Sequence, residues 1–245
     1  MQQHMTDALS GKVAMVTGAN AGMGKEISLG LARLGATLVM VVKEFGAGHD
    51  RLHALVNNAG MTAARRTETV DGLETVFATN HLGPFLLTNL LLPVLKASAS
   101  ARIVTVSSGA QAMGKLDFNG LQSARSYGEI RVYNASKLAN ILFTYELARR
   151  IKGNGVTSNA VEPGFIKTNL KVPFPFSIFS FMRGKPVDGA KPSIFLASSP
   201  DVEDVSGAFY NNKGVATTSS KITYDDATAG RLWKVSGELT HLDLN

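Results

Sequence analysis

The chain has 245 residues, of which 44% are apolar, and it contains no cysteine. That length and apolar content suffice for one α/β domain with a substantial core, so we expect a single domain over residues 1–245. The lack of cysteine excludes disulfide bonds, thiolate catalysis and cysteine metal sites, and no metal site is predicted.

The charge and the N-terminal residues narrow the class of protein further. The formal net charge is +6, but lysine and arginine are scattered along the chain, which favours a solvated surface over a nucleic-acid-binding face. The first ten residues lack the apolar stretch of a signal peptide, and no later stretch is apolar over a transmembrane length. We therefore expect a cytoplasmic protein that has no membrane span and does not bind nucleic acid.

The first motif is a glycine-rich turn between a strand and a helix. Residues 12–17 form a short apolar run typical of a buried parallel strand, and the glycines of residues 18–24 follow directly. The next residues place Ile27 and Leu31 on one face of a helix. This is the setting of a phosphate-binding loop, because glycines admit a pyrophosphate close to the backbone and the helix N-terminus offers free N–H groups. The spacing is Gly-x-x-x-Gly-x-Gly, and a glycine turn without a ligand is the alternative.

Further apolar runs predict the rest of the fold. Predicted strands lie at residues 37–42, 53–56, 101–108, 155–161 and 205–210, and predicted helices at residues 71–96, 133–151, 188–198 and 231–239. Strands that alternate with helices are typical of the α/β class, so we expect a doubly wound parallel sheet of the Rossmann type.

The end of the second predicted strand bears on the choice of cofactor. In dinucleotide folds this end approaches the adenosine ribose, where an acid selects the 2′-hydroxyl and a cation selects the 2′-phosphate. Val42 is apolar and Lys43 is basic, which favours NADP over NAD. An exposed lysine without a ligand is the alternative, and the neighbouring Glu44 weakens the signal.

Tyr133 and Lys137 are the candidate catalytic pair, because residues four apart share one face of the predicted helix. A phenol titrates at a pH of about 10, and a neighbouring cation favours its ionised form. Ser107 and Ser108 end a predicted strand, and ligands in open α/β sheets bind at such ends. Without the other motifs, the simpler interpretation of this pair is a core tyrosine beside a solvated lysine. For Asn80, the simpler interpretation is a structural amide in an apolar helix.

Taken together, these motifs resemble the classical short-chain dehydrogenase/reductase family, within it the branch of retinol dehydrogenases and related carbonyl reductases. The matching segments are residues 17–24, 57–60, 80–83, 107–108, 133–137, 163–164 and 231–236. The resemblance implies an oxidoreductase that transfers a hydride between NADP(H) and a small carbonyl or alcohol substrate of apolar character. NAD is the less favoured cofactor, and a homo-oligomer is expected. The aromatic residues 172–182 are interpreted as a lid over the substrate or as a loop packed on the core.

The resemblance also implies roles for individual residues. Tyr133 is the proton donor to a carbonyl or the base for an alcohol, and Lys137 lowers its pKa and holds the nicotinamide ribose. Ser108 binds the substrate oxygen, and Asn80 anchors a proton-relay water. The implied cofactor-binding residues are Tyr133 and Lys137 again, with Gly18, Asn20, Gly22, Met23, Gly24, Lys43, Asn57, Ala59, Gly60, Pro163, Gly164, Ile166 and Thr168. Glu162 departs from the branch, in which histidine is usual before Pro-Gly.

One segment departs more seriously from the family pattern. The family places a helix, a third strand and another helix between the second strand and Asn-Asn-Ala-Gly, whereas this chain has only residues 43–52 there. Such a segment reaches about 15 Å as a helix or roughly 33 Å if extended, and a return along one strand needs about 17–20 Å. The connection is possible without the usual third strand, which is the sheet edge.

Two expectations follow from the shortened segment. Residues 37–42 become an apolar edge without charge or proline, so we expect either self-association through that edge or poor solubility. Cofactor affinity is expected to fall, because the absent segment supplies the family's adenine wall. The alternative to an enzyme is therefore an impaired or inactive relative that keeps the fold and serves as a binding or interaction protein.

Overall fold

The computed structural model describes residues 8–39, 49–166 and 184–244. Its strands form a seven-stranded sheet in the order β2-β1-β3-β4-β5-β6-β7. The strands are β1 Val13–Val16, β2 Thr37–Val39, β3 Ala54–Asn57, β4 Ala101–Val106, β5 Val156–Val161, β6 Phe209–Tyr210 and β7 Ala216–Thr217. Neighbouring strands from β2 to β6 pair in parallel, and β7 pairs antiparallel with β6. The predicted α/β class with a Rossmann-type parallel sheet is therefore confirmed.

Helices cover both faces of this sheet. They are α1 Gly22–Arg33, α2 Thr75–Phe77, α3 Gly83–Ala97, α4 Glu129–Arg150, α5 Pro186–Ser198 and α6 Asp226–Leu239, with a π-helical turn at Ala78–Leu82. Short 3₁₀ helices occupy Gly109–Met113, Pro200–Val202 and Lys221–Tyr224. In the part of the chain that the structure describes, no helix is both long and apolar enough to cross a membrane.

The sheet separates two apolar layers, because successive side chains of a strand point to opposite faces. Val16 of β1 packs in one layer with residues of α1 and α5, such as Ile27 and Leu196. Met15 of β1 packs in the other layer, where α3, α4 and α6 contribute Phe85, Leu95, Phe143, Leu147 and Trp233. Both faces of the strands are thus covered, which explains why their sequences read as continuous apolar runs.

The sheet edge agrees with the predicted loss of a strand. β1 pairs with β2 on one side and with β3 on the other, and no strand lies beyond β2 within the described ranges. The chain therefore passes from β2 across β1 to β3. Residues 40–48, which include Val42, Lys43 and Glu44, lie outside the described residues, as does part of the predicted second strand.

The helical segment after residue 71 begins later than predicted, and it contains a π-helical turn. The Glu74 carboxylate accepts hydrogen bonds from the backbone N–H groups of Val76 and Phe77, at 2.9 and 2.6 Å, so α2 begins at Thr75. The π-helical turn follows and holds Asn80 in its middle, before α3 begins at Gly83. Such turns inside α-helices are rare and frequently occur at functional sites.

The C-terminal elements also differ from the sequence prediction. β6 is shorter than predicted and turns back into β7, since Asn211 Oδ1 accepts the backbone N–H groups of Lys213 and Val215. β7 was not predicted, because two exposed residues carry no periodic apolar signal. α6 begins five residues before the predicted helix, where the Asp225 carboxylate accepts the Thr228 N–H and caps it.

His81 makes the fold sensitive to acid. Its ring is fully buried among aromatic side chains, and its Nε2 lies 2.9 Å from Ser236 Oγ. Burial lowers its pKa from 6.5 to about 4, and the nearby Asn140 side chain opposes this shift in part. The unfolded chain therefore binds a proton before the folded chain does. Neutral His81 therefore contributes to the free energy of unfolding. This contribution is complete above pH 6.5 and is lost as the pH falls towards 4, by about 3 kcal/mol in all.

The substitution His81→Leu should remove this pH dependence. Between pH 6.5 and 4, we expect the free energy of unfolding, measured with urea, to fall by about 3 kcal/mol more in the parent than in His81→Leu. His241→Asn, which changes an exposed histidine, should keep the pH dependence of the parent. An equal pH slope in the parent and in His81→Leu would show that His81 does not titrate in this way.

Candidate active site

The glycine loop packs directly against the chain that follows β3. Gly18 has a φ of 67°, a region that favours glycine, and a Cβ there would lie 3.2 Å from the Cα of Ala59. A Cβ at Gly24 would overlap the carbonyl oxygen of Gly18 and lie 2.5 Å from Asn58 Nδ2. α1 begins at Gly22 without a side-chain cap and without an acid in its first turn. Its first N–H groups are therefore available to an anion such as a pyrophosphate.

Thr17 and Asn58 join the two segments, and sequence reasoning gave neither a role. Thr17 Oγ1 accepts the N–H groups of Asn58 and Ala59, both at 3.0 Å, and Asn58 Nδ2 donates to the Thr17 carbonyl at 2.9 Å. The signal in the sequence was a polar side chain at the end of one predicted strand, Thr17, and another shortly after the end of a second, Asn58.

Three predicted cofactor residues occupy different environments. Asn20 is exposed on the glycine loop, and Met23 is buried at the start of α1. Asn57 is buried, and its Nδ2 donates to Thr88 Oγ1 at 2.9 Å, so its side chain ties β3 to α3. The Asn57 side chain is thus engaged within the core, unlike the residues of the glycine loop.

Ser108, Tyr133 and Lys137 meet where β4 ends. Tyr133 and Lys137 lie on the same face of α4, and Lys137 Nζ is 5.7 Å from the centre of the Tyr133 ring. Ser108 lies close enough to the Tyr133 phenol to affect its pKa. Lys137 Nζ donates to the Val106 carbonyl at 3.1 Å. The structure thus brings these three predicted catalytic residues together.

Asn80 connects this group to the chain after β3. Its Oδ1 accepts the Met61 N–H at 2.8 Å, and its Nδ2 donates to the Met61 carbonyl and to Ser136 Oγ, both at 3.0 Å. Ser136 Oγ in turn donates to the Tyr133 carbonyl at 2.7 Å. A Cβ at Gly60 would lie 3.5 Å from both Asn80 Oδ1 and Lys137 Nζ. The segment that packs on the glycine loop therefore reaches the catalytic group.

Burial is the main influence on the pKa of Tyr133. It raises the pKa above the ordinary value, and Ser108 opposes this shift only in part. Lys137 Nζ, which donates to the Val106 carbonyl, is not among the groups that shift this pKa in the protein without cofactor. Burial lowers the pKa of Lys137 to about 8. Tyr133 is therefore protonated at neutral pH, the state that a proton donor requires.

The segment after β5 approaches α1 through its side chains. Gly164 has a φ of 77°, and a Cβ there would lie 2.8 Å from Asn212 Nδ2. A Cβ at Gly189 of α5 would lie 2.6 Å from Ile166 Cγ1 and 3.2 Å from Met23 Sδ. The side chains of Ile166 and Met23 thus both pack against Gly189. The sequence did not indicate this role of Gly189.

Some predicted residues fall beyond what the structure describes. Pro163 is half-buried beside Gly164, but Thr168, Lys43 and the predicted lid at residues 172–182 lie outside the described residues. Metal-ligating side chains do not cluster anywhere in residues 8–39, 49–166 or 184–244.

Comparison with known proteins identifies the family. The model of the short chain dehydrogenase family matches residues 41–175. Mouse retinol dehydrogenase 14 is 38% identical over 286 residues, covering 93% of this chain and 85% of that protein. Human retinol dehydrogenase 11 is 38% identical over 284 residues, covering 98% and 89%. The chain belongs to the short chain dehydrogenase family. Within this oxidoreductase family it is similar to the retinol dehydrogenase branch, which confirms the resemblance seen in the sequence.

Solved structures share the fold of this chain. An uncharacterized protein from Mycobacterium paratuberculosis superposes with a TM-score of 0.80 at 29% identity, covering 97% of this chain and 96% of that chain. A short chain dehydrogenase from Shigella flexneri, complexed with NADP, shares the fold with a TM-score of 0.65 at 19% identity, covering 85% and 99%. A short chain dehydrogenase fold implies a nicotinamide cofactor and a small-molecule substrate.

The alignments also bear on the shortened segment. The alignment with mouse retinol dehydrogenase 14 spans 286 residues, which exceeds the 245 residues of the whole chain. Parts of that relative therefore have no counterpart in this short chain dehydrogenase. This agrees with a chain that passes from β2 to β3 without an intervening described strand.

Proposed function

We propose that this short chain dehydrogenase interconverts a carbonyl and an alcohol by hydride transfer with NADP(H). The observation that carries the proposal is the convergence of Ser108, Tyr133 and Lys137 at the end of β4, with Ser108 beside the phenol. The relatives named retinol dehydrogenases support an aldehyde or primary alcohol with an apolar body as the substrate.

The residues of the chain fit a dinucleotide. The uncapped N-terminus of α1 would bind the pyrophosphate. Because Gly18 and Gly24 have no Cβ, the glycine loop can pack tightly on Asn58 and Ala59. Lys137 would hold the nicotinamide ribose from the catalytic side. When bound, the nicotinamide supplies or accepts the hydride.

The chain itself moves the proton and orients the substrate. Ser108 hydrogen-bonds to the substrate oxygen, and Tyr133 donates its phenolic proton to that oxygen during reduction. Because burial keeps Tyr133 protonated at neutral pH, it is ready to act as an acid. Asn80 holds the middle of the π-helical turn against Met61 and, through Ser136, fixes the first part of α4. A water held near Asn80 would return the proton to Tyr133.

Cofactor preference gives a first test. We expect NADPH to bind about ten-fold more tightly than NADH or better, because Lys43 can pair with the 2′-phosphate and a charge-assisted hydrogen bond contributes about 1.5–3 kcal/mol. Fluorescence titration with NADPH and NADH measures this preference in the parent, in Lys43→Asp and in Lys96→Asp, an exposed control. Lys43→Asp should erase the preference and Lys96→Asp should keep it. Equal affinities in the parent would mean that Lys43 points to solvent.

One observation favours a second candidate function, a binding or interaction protein without turnover. The passage from β2 to β3 leaves little chain for the adenine wall that the family resemblance implies. Titration with NADPH, followed by addition of all-trans-retinal and simple aldehydes, separates the two. Loss of NADPH absorbance on addition of a carbonyl supports the enzyme, whereas tight binding without any turnover supports the interaction protein.

A further inference from the structure

Glu162 leaves the sheet beside the catalytic group. β5 pairs with β4 in register, so that Val161 lies opposite Val106, and the Ser107 N–H donates to the Val161 carbonyl at 2.8 Å. The Glu162 N–H donates to the Tyr210 carbonyl at 2.9 Å on the other side. Glu162 and Ser108 therefore follow adjacent strand ends, where ligands of open α/β sheets bind.

The Glu162 carboxylate lies over the backbone that follows Ser108. A Cβ at Gly109 would lie 2.9 Å from Glu162 Oε2, a distance that real Cβ atoms do not adopt. Glycine at position 109 thus makes room for the carboxylate, one residue beyond the hydroxyl that binds the substrate oxygen in the proposed mechanism. Any larger residue at position 109 would push the carboxylate aside.

The carboxylate is half-buried, and burial raises its pKa. In the ranges that the structure describes, no cation contributes to that shift and no group donates a hydrogen bond to the carboxylate. The Glu162 oxygens are not among the fully buried atoms without a partner, so water can solvate them in the free protein. A substrate that covers the carboxylate removes this water, and a substrate that supplies a hydrogen-bond donor in its place is favoured. A carboxylate accepts hydrogen bonds and repels other anions, so it favours hydroxyl or ammonium groups and disfavours carboxylates.

We propose that Glu162 is a specificity-determining residue that selects carbonyl substrates bearing a hydroxyl or ammonium group near the reacting carbon. This inference rests on the proposed function and narrows it. The substrate class becomes amphipathic, with an apolar body and one hydrogen-bond donor close to the carbonyl. Substrates with a carboxylate at that position are rejected.

Four benzaldehydes that differ only at the meta position test the proposal: unsubstituted, hydroxymethyl, aminomethyl and carboxylate. The parent should show a kcat/KM about ten-fold higher for the two donor-bearing aldehydes than for benzaldehyde, the scale of one hydrogen bond to a charged group. The carboxylate should be the poorest substrate. Glu162→Leu should remove both effects, while Glu162→Gln should retain part of the hydroxymethyl preference and relax the rejection of the carboxylate. Gly109→Ala, which displaces the Glu162 side chain, should weaken the preference.

Glu238→Gln, an exposed carboxylate on α6, is the matched control and should keep the specificity of the parent. Calorimetric titration of the Tyr133→Phe protein with the same aldehydes, in the presence of NADP, measures the preference without turnover. If benzaldehyde is reduced but the ratios are the same in the parent and Glu162→Leu, the inference about Glu162 is wrong and the proposed function stands. If no aldehyde is turned over, the proposed function fails. In that case the calorimetric affinities still test the Glu162 inference. The inference is supported if Tyr133→Phe binds the donor-bearing aldehydes more tightly than benzaldehyde and the added Glu162→Leu substitution abolishes this difference. It is overturned if the affinity ratios are equal with and without Glu162→Leu.

Discussion

Tyr133→Phe is expected to lower turnover by about 10²–10⁴-fold, the range that general acid catalysis contributes, while the NADPH dissociation constant stays nearly unchanged. The substitution keeps the ring and removes only the hydroxyl, whose contribution is made in the transition state. Steady-state kinetics with an aldehyde and fluorescence titration with NADPH measure the two effects separately. Lys137→Ala, by contrast, should weaken both, because Lys137 is expected to contact the nicotinamide ribose.

Tyr145→Phe provides a matched control on the same helix. Tyr145 lies further along α4, and its hydroxyl bonds to Ser219 Oγ at 2.9 Å, away from the strand ends that carry the catalytic group. The same chemical change there should leave kcat within about two-fold of the parent, since a hydrogen bond outside the catalytic group mainly affects stability. Full activity in Tyr133→Phe would place the proton donor elsewhere.

Gly24→Ala is expected to have the largest effect on the cofactor site. The added Cβ would overlap the Gly18 carbonyl and press on Asn58 Nδ2, and backbone cannot move aside as a flexible side chain can. α1 must then shift from the loop, which disturbs the hydrogen bonds at Thr17. We expect a loss of stability of about 1–3 kcal/mol and a rise in the NADPH dissociation constant of about ten-fold or more. Thermal unfolding and fluorescence titration measure the two.

Gly230→Ala makes the same change where there is room. Gly230 lies inside α6, and nothing is within 4 Å of the position that its Cβ would occupy. Since glycine disfavours a helix interior, this variant should be more stable than the parent by up to about 1 kcal/mol and should bind NADPH normally. A Gly24→Ala protein as stable as the parent, with unchanged affinity, would contradict the packing described for the glycine loop.

The fold could be predicted where burial and backbone geometry dictate the residue. β3 and β4 are covered on both faces, so their sequences are continuous apolar runs. Positions 18 and 24 require glycine, because a Cβ at either position would crowd Ala59 or Asn58. For these reasons the order of the elements and the glycine loop were visible in the sequence.

Other features depend on contacts between distant residues. The direction of the Asn57 side chain is set by Thr88, thirty-one residues away, and the sequence carries no sign of that pairing. The pKa of Tyr133 depends on how deeply the fold buries the phenol and on the nearby Ser108. Gly189 matters only because α5 brings it to Met23 and Ile166. Such features follow from packing, which local patterns do not encode.

Hydride transfer can be followed directly with NADPH that carries deuterium at both positions of the nicotinamide C4. The parent protein is incubated with this cofactor and all-trans-retinal or benzaldehyde, and the alcohol product is examined by mass spectrometry. The account predicts an alcohol one mass unit heavier than the unlabelled product in the parent, and a yield at least about a hundred-fold lower with Tyr133→Phe. An unlabelled alcohol, or NADPH binding without any alcohol formed, would contradict the proposal that Ser108, Tyr133 and Lys137 catalyse this reaction.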